Sequence, residues 1–398
     1  MKPHVAIITT LQHNVGDDFV RDGIIYLLGR ILPKMELRLI HKHLPITARS
    51  EFAWLHSSRI DRQLDRLGED FALKLTRRLD NHLPVFRGTD RIGRADVLVQ
   101  SGGPVYWLSA EGNCAQTEWW DPLIERRWIP NSQGRIFLNL AGGTCQRYDS
   151  DGGEFADRPD VLEHIRRYHD LTALTTVRDE LSLNVLRLAG RKGVLLPCTS
   201  IFAVDRLGIA PAPGEFVVLN YMPAGGHFML GQKIDAEAWE RRFVALARRL
   251  AVRERVVLVC HNEKEMTAAK TLLPGMETFY SDDYRAYLQL YRKARWGIMN
   301  RVHGAFALAS LGKPAAVIGS DSRARMAGLL GLPEVFVNDA TDEWLDGVAA
   351  QLEEKVGTFP GHMTALKANA AKDYVAHLRV ALAPAGKRRE EEALLTSP

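Results

Sequence analysis

The chain has 398 residues, 46% hydrophobic and 25% charged, the make-up of a globular protein with apolar material for two domains. Its 52 Lys and Arg against 48 Asp and Glu give a formal charge of +4, spread along the chain and too slight to indicate nucleic acid as a partner. The four cysteines, Cys114, Cys145, Cys198 and Cys260, lack C-x-x-C spacing, which argues against a metal site and for reduced, buried thiols.

Residues 4–10 form an apolar, β-branched run that predicts a strand at the start of the chain, with no leader and no apolar stretch long enough to span a bilayer. The expected setting is therefore the cytoplasm. Residues 11–16 read as a loop, and 17–32 carry Phe19, Ile24, Leu27, Leu28 and Ile31 at helical spacing. Asn14, Gly16, Asp17 and Asp18 thus fall in or beside the first βα turn. Asp17 either caps the helix or reads a substrate. A second strand is expected at 36–41 and Arg-rich helices over 50–83, the arginines on a solvated face.

The third strand, 95–99, runs into Gln100-Ser101-Gly102-Gly103-Pro104, a glycine-rich turn that suits close approach of a phosphate or sugar but lacks the dinucleotide spacing. Trp107, Trp119, Trp120 and Trp128 follow, available for sugar stacking or for packing. A fourth strand is expected at 135–140, a polar loop over the site at 146–159, and a further strand at 171–177. That strand ends in Arg178-Asp179-Glu180-Leu181-Ser182, where a helix begins. A cation at a helix start is unfavourable without a partner, so Arg178 calls for an anion, either Asp179 or Glu180 or a ligand.

Residues 208–215, rich in Pro, Gly and Ala, read as a linker, and a fresh strand at 216–221 opens a second α/β unit. Helices are expected at 237–250, 263–272 and 281–294, with a strand at 255–260 that ends at His261. In the segment 296–325, strand 297–299 leads through Asn300-Arg301-Val302-His303 into a small-residue helix, 304–311. Gly312-Lys313-Pro314 stops that helix, and strand 315–318 leads through Ser320-Asp321-Ser322 to a helix bearing Arg323 and Arg325. Helices at 344–352 and 364–382 close the chain before a charged tail, 387–392.

Alternating strands and helices in both halves predict an α/β protein of two doubly wound, Rossmann-like domains facing a cleft. The division expected is 1–207 for the acceptor side, 208–350 for the donor side, and 351–398 for a final helix, which crosses back in this reading, and the tail. Ligands of such sheets bind where strands give way to helices, and helix starts there offer N–H groups to anions.

Taken in order, Asn14-x-Gly16-Asp17, Ser101-Gly102-Gly103, Val177-Arg178-Asp179-Glu180-x-Ser182, Arg301-x-His303 and Gly312-x-Pro314 make the chain resemble the polysaccharide pyruvyl transferase family over about residues 5–332. The resemblance implies a GT-B-like fold, no metal or organic cofactor, and transfer of the enolpyruvyl unit of phosphoenolpyruvate onto two hydroxyls of a sugar as a pyruvate ketal. The acceptor implied is a polysaccharide or lipid-linked precursor, met at the inner face of the membrane. Arg178, His303 and Arg323, with Arg301, would hold the donor. Asn14, Asp18, Gly102 and Gly103 would meet the acceptor. The chain departs from the family pattern at Ser101, at Pro197-Cys198 and at Asn220-Tyr221-Met222.

Phosphoenolpyruvate carries close to three negative charges, and arginine pairs bidentately with carboxylate and phosphate. Ketal formation needs an acid at the vinyl CH2, for which His303 is the candidate, and a base for the hydroxyl, for which Asp17 and Asp18 are available at the first βα turn, Asp17 being the one assigned. Plainer roles stand beside these: His303 as a cap or core histidine, and Arg301 as half of an ion pair. Two other functions also fit the sequence. One is a GT-B glycosyltransferase using a nucleotide sugar, and the other is a non-catalytic anion- or glycan-binding module.

Overall fold

The computed structural model describes residues 2–10, 14–41, 95–108 and 134–384. The expected helices at 50–83, Trp119, Trp120, Trp128, Cys114 and the charged tail lie outside the described residues. The first sheet is built from β1 (His4–Thr9), β2 (Glu36–His41), β3 (Val97–Ser101), β4 (Pro104–Tyr106), β5 (Ile136–Thr144), β6 (Leu174–Val177) and β7 (Val194–Leu195). Its strand order is β2-β1-β3-β5-β6-β7, with β4 added beside β5, and every pairing among the described strands is parallel. The second sheet comprises β8 (Phe216–Asn220), β9 (Val256–Val259), β10 (Glu277–Phe279), β11 (Ala294–Met299), β12 (Ala315–Gly319) and β13 (Glu334–Phe336), in the order β10-β9-β8-β11-β12-β13. It too is parallel throughout. In the first sheet the order reverses between β1 and β3, and in the second between β8 and β11. Those are the two places where a crevice opens at the strand ends.

The strands are apolar on both faces because both faces are covered. Val5 and Ile7 point to one core and Ala6 and Ile8 to another, the period of two that a pleated strand imposes. In the second sheet Phe216 and Val218 join the same core as Val5 and Ile7, while Val217 and Leu219 pack against Trp239 and Phe243 of the helix Ala236–Ala251. One apolar cluster therefore runs unbroken from sheet to sheet. It passes through α1 (Val15–Gly29), the segment 199–207, the helix Val302–Ser310 and the last helix, Phe359–Leu382. α1 lies so close to residue 199 that a Cβ on Gly23 would sit 1.7 Å from the Thr199 carbonyl oxygen.

The last helix begins beside the helix Val302–Ser310 and residue 330, where His362 Nε2 bonds the Leu330 carbonyl (3.1 Å), and ends against β5 and β6 of the first sheet. There Tyr374 donates its hydroxyl proton to the Pro197 carbonyl (2.9 Å) and Lys367 pairs with Asp205 (2.7 Å). The domains also meet at residues 146–148. Ser322 N donates to the Gln146 carbonyl (2.9 Å), Gln146 N donates to Ser322 Oγ (3.0 Å), and Arg147 and Asp321 form a two-residue antiparallel bridge.

Residues 146–159, expected to be a loop over the site, are thus stitched across the domain boundary at their start and fold into a 3-10 turn at Gly153–Asp157. The helix that follows, Pro159–His169, starts on a proline and buries Val161, Leu162, Ile165 and Tyr168 on one face. Strands of two or three residues, such as β7, β10 and β13, hold too few side chains for periodicity to reveal them.

Candidate active site

The ends of β1, β6, β8, β11 and β12 converge on a cavity of about 400 Å³ between the domains. Asn14, Gly16, Asp17 and Arg178 line it from the first domain. Asn300, Arg301, His303, Asp321 and Arg323 line it from the second. The three residues singled out as an anion grip, Arg178, His303 and Arg323, share this one cavity.

Arg178 is the unusual group. It follows β6 directly, is 1% exposed, and among the described residues has no carboxylate within ion-pair distance. Its neighbour Asp179 does not serve it. That carboxylate caps the helix Glu180–Leu188 through Ser182 N (2.6 Å) and Ser182 Oγ (2.6 Å), and also accepts from Thr144 N (3.0 Å). The Arg178 guanidinium donates from Nη1 to His303 Nε2 (3.0 Å) and more weakly to Cys198 Sγ (3.6 Å), and its Nε has no hydrogen-bond partner among the described residues. Gly143 makes room for it, since a Cβ at that position would meet Arg178 Nε at 2.6 Å. A buried cation without a counter-ion costs several kcal/mol, roughly, and lasts where a ligand supplies the missing charge.

His303 stands at the start of the helix Val302–Ser310. An arginine cannot accept a hydrogen bond, so Nε2 of His303 must present its lone pair to Arg178. The ring is then neutral and carries its proton on Nδ1, the atom that lies against the backbone of Gly16, where a Cβ would approach it to 2.6 Å. Burial first, and then the Arg178 charge, hold the imidazole pKa well below its ordinary value. The protonated form that an acid at the vinyl CH2 needs is thus not the resting form. The helix start has no side-chain cap: Arg301 N is taken by Asn220 Oδ1 (2.8 Å), while the N–H groups of residues 302 and 303 have no hydrogen-bond partner among the described residues. Arg178 and this uncapped, positive helix end face the same space.

The other two cations differ. Arg301 pairs through Nε and Nη2 with Glu265, itself 3% exposed and further held by Asn220, Asn262 and His261 N. Arg323 forks onto Asp321, Nε to Oδ1 at 2.8 Å and Nη2 to Oδ2 at 2.7 Å, and Asp321 also caps the following 3-10 helix, Ser322–Leu330. An anion at that helix start would have to displace a carboxylate already there. His261 reaches the cavity from the end of β9 and bonds Tyr291 OH through Nε2 (2.9 Å).

On the acceptor side the structure divides the expected residues. Asp17 lines the cavity and accepts from Thr10 Oγ1 (2.6 Å), and it is not the helix cap. Asn14 is the cap, accepting from Gly16 N (3.1 Å), and lines the cavity as well. Asp18 does not reach the cleft. One helical position further on, it is turned to Arg21, in a buried cluster with Asp22 and Tyr284, and burial lifts its carboxyl to about 6. Gly102 and Gly103 also lie off the cavity. A Cβ on Gly102 would come within 2.0 Å of the Ala141 carbonyl oxygen, and the Gly103 carbonyl accepts from Gly143 N (2.9 Å), so this turn serves strand packing. The reading of the sequence missed Asn300, whose amide ties the β11 end to Met222 N (2.8 Å) and the Ile318 carbonyl (2.7 Å). It also missed His227 and Phe228, which the loop after β8 carries into the cavity.

No family model and no curated protein matches the chain. Among solved structures, the S. aureus MnaA–UDP co-structure superposes with a TM-score of 0.54 at 12% identity, covering 96% of this chain and 97% of that one. A UDP-GlcNAc 2-epimerase from Neisseria meningitidis bound to UDP-GlcNAc gives 0.50 at 12% identity, covering 94% and 99%. The fold is therefore the GT-B type, two Rossmann-like domains across a cleft. The E. coli heptosyltransferase WaaC with ADP gives a TM-score of 0.43 at 12% identity, over 88% of this chain and 99% of that chain.

Proposed function

We propose that the chain is a transferase that grips a compact, phosphate-bearing donor in the interdomain cleft and passes part of it to a sugar hydroxyl. The reading rests on the carboxylate-free Arg178 beside the uncapped helix start at His303. The donor that fits the resemblance and this charge arrangement is phosphoenolpyruvate, with no cofactor required. Its phosphate or carboxylate would take the Arg178 fork and the N–H groups of residues 302 and 303. An anion that draws the Arg178 fork away frees Nε2 of His303 and offsets the charge that, after burial, depresses it, so the imidazole can take up a proton as the donor arrives and give it to the vinyl CH2. A sugar hydroxyl attacks the resulting oxocarbenium carbon, with Asp17 taking its proton; the C–O bond to phosphate then breaks, and the second hydroxyl attacks the carbon so released, its proton leaving with the phosphate, to complete a ketal. The acceptor would be a polysaccharide or lipid-linked precursor, met in the cytoplasm at the membrane.

A nucleotide sugar is the second reading of the donor. It is supported by the fold shared with UDP-bound enzymes. Within the second domain, however, the carboxylates nearest the cavity, Glu265 and Asp321, are already engaged by Arg301 and Arg323. Calorimetric titration with phosphoenolpyruvate, UDP and UDP-GlcNAc separates the two. The first reading expects phosphoenolpyruvate to bind and Arg178→Met to abolish it. Binding of UDP or UDP-GlcNAc alone overturns it in favour of the second.

A further inference from the structure

Beside the anion grip, the same cavity has an aromatic wall that the donor chemistry leaves unused. Trp107, just past β4, and Phe228, on the loop after β8, meet across the cleft with ring centroids 5.5 Å apart and planes tilted by 49°. The indole N–H of Trp107 has no hydrogen-bond partner among the described residues. His227 lines the cavity next to them. The residue stays exposed, and partial burial followed by the charges of Arg301 and Arg323 lowers its pKa, so at neutral pH it is an uncharged donor and acceptor, and no hydrogen bond engages it among the described residues. The loop is bent at both ends by left-handed residues, Ala224 and Gly225 (φ 53° and 72°) and Leu230 and Gly231 (φ 50° and 72°). Leucine adopts that conformation at a cost of about 1 kcal/mol, so the fold holds residues 227–229 in place against a local preference. Phe228 remains 39% exposed, and the Arg323 guanidinium lies 5.5 Å from its ring centroid.

We propose that Trp107, Phe228 and His227 form the subsite for the accepting pyranose, a further step that rests on the transferase reading. A sugar ring presents an apolar C–H face that stacks on the exposed Phe228 ring and its Trp107 neighbour, and hydroxyls at its edge that pair with the neutral imidazole of His227. Trp107, Phe228 and His227 line the same cavity as Arg178 and Asp17, so a pyranose held there shares the space with the donor.

The test is saturation-transfer NMR and titration of the full chain with a panel of methyl pyranosides: gluco-, galacto-, manno- and N-acetylglucosaminide. Phosphoenolpyruvate binding is measured on the same samples. At least one pyranoside should bind the native chain, and Trp107→Ala and Phe228→Ala should each weaken it about tenfold. His227→Gln, which keeps polar atoms, should weaken it less. Phosphoenolpyruvate affinity should be unchanged in all three. Absence of binding by every pyranoside, or equal binding in native and both alanine variants, overturns the proposal. So does loss of phosphoenolpyruvate and sugar binding together in both alanine variants. If pyranosides bind through these rings while phosphoenolpyruvate does not bind at all, the subsite stands and the donor assignment fails.

Discussion

Replacing Arg178 by methionine separates a ligand-binding cation from a structural one. The guanidinium is buried and, among the described residues, has no carboxylate partner and makes one good hydrogen bond, to His303 Nε2 at 3.0 Å. Methionine fills similar volume without a charge, and removing a buried charge that has no counter-ion relieves a desolvation penalty of roughly several kcal/mol, against the loss of one hydrogen bond. Against that, each charge-assisted hydrogen bond lost to a donor anion is worth about 1.5–3 kcal/mol. Two such bonds amount to roughly 3–6 kcal/mol, or about 10²–10⁴-fold in dissociation constant. Arg178→Met should therefore unfold at equal or higher denaturant concentration than the native chain, while phosphoenolpyruvate binding falls at least about a hundredfold. Isothermal titration and a urea series measure both. An unchanged affinity, or a loss of stability beyond about 2 kcal/mol, would refute the argument, because the arginine would then be serving the fold.

Phosphoenolpyruvate binding at pH 7 should take up a proton, read from titrations in buffers of different ionisation enthalpy, and His303→Gln should abolish the uptake. Affinity should correspondingly weaken as pH rises. Arg301→Met should act the other way from Arg178→Met: stranding the buried Glu265 carboxylate costs about 3–5 kcal/mol in a urea series, with a smaller change in donor affinity. His169, buried and bonded to Tyr106 OH (2.7 Å), is lowered to about 4, chiefly by burial. A lowered histidine leaves the unfolded chain holding more protons. Its contribution to stability is therefore full above about pH 6.5 and is lost as pH falls towards 4. His169→Gln should flatten the slope of stability against pH by up to about 1.4 kcal/mol per pH unit in that window, measured by urea midpoints. Gly23→Ala forces a methyl group to within 1.7 Å of a backbone oxygen and should cost about 3 kcal/mol or more in the same assay.

The alternation of apolar runs and amphipathic stretches was enough to expect two doubly wound domains, because strand and helix periods are local properties of the chain. The same local logic located the strand ends, and so Arg178, His303, Arg301 and Arg323, at one cleft. Local spacing cannot tell which cation is already neutralised. Glu265 lies 36 residues before Arg301, and only the packing of β8, β9 and β11 brings them together. Nor can it tell Asp17 from Asp18. A single step of about 100° around α1 sends one carboxylate into the cavity and the other into the cluster with Arg21 and Tyr284. Glycines at 102 and 103 suggested a ligand, yet the nearest neighbour of Gly102 is the carbonyl of Ala141, a contact fixed by strand register between β3 and β5. Local pattern was enough for the longer strands and helices and for which strand ends carry charge, but not for the strands of two or three residues. Tertiary structure alone decided which of those charges are spent on partners within the protein and which remain for a ligand. Charge pairing depends on distances of a few ångströms between residues far apart in the chain, and no local pattern encodes those distances.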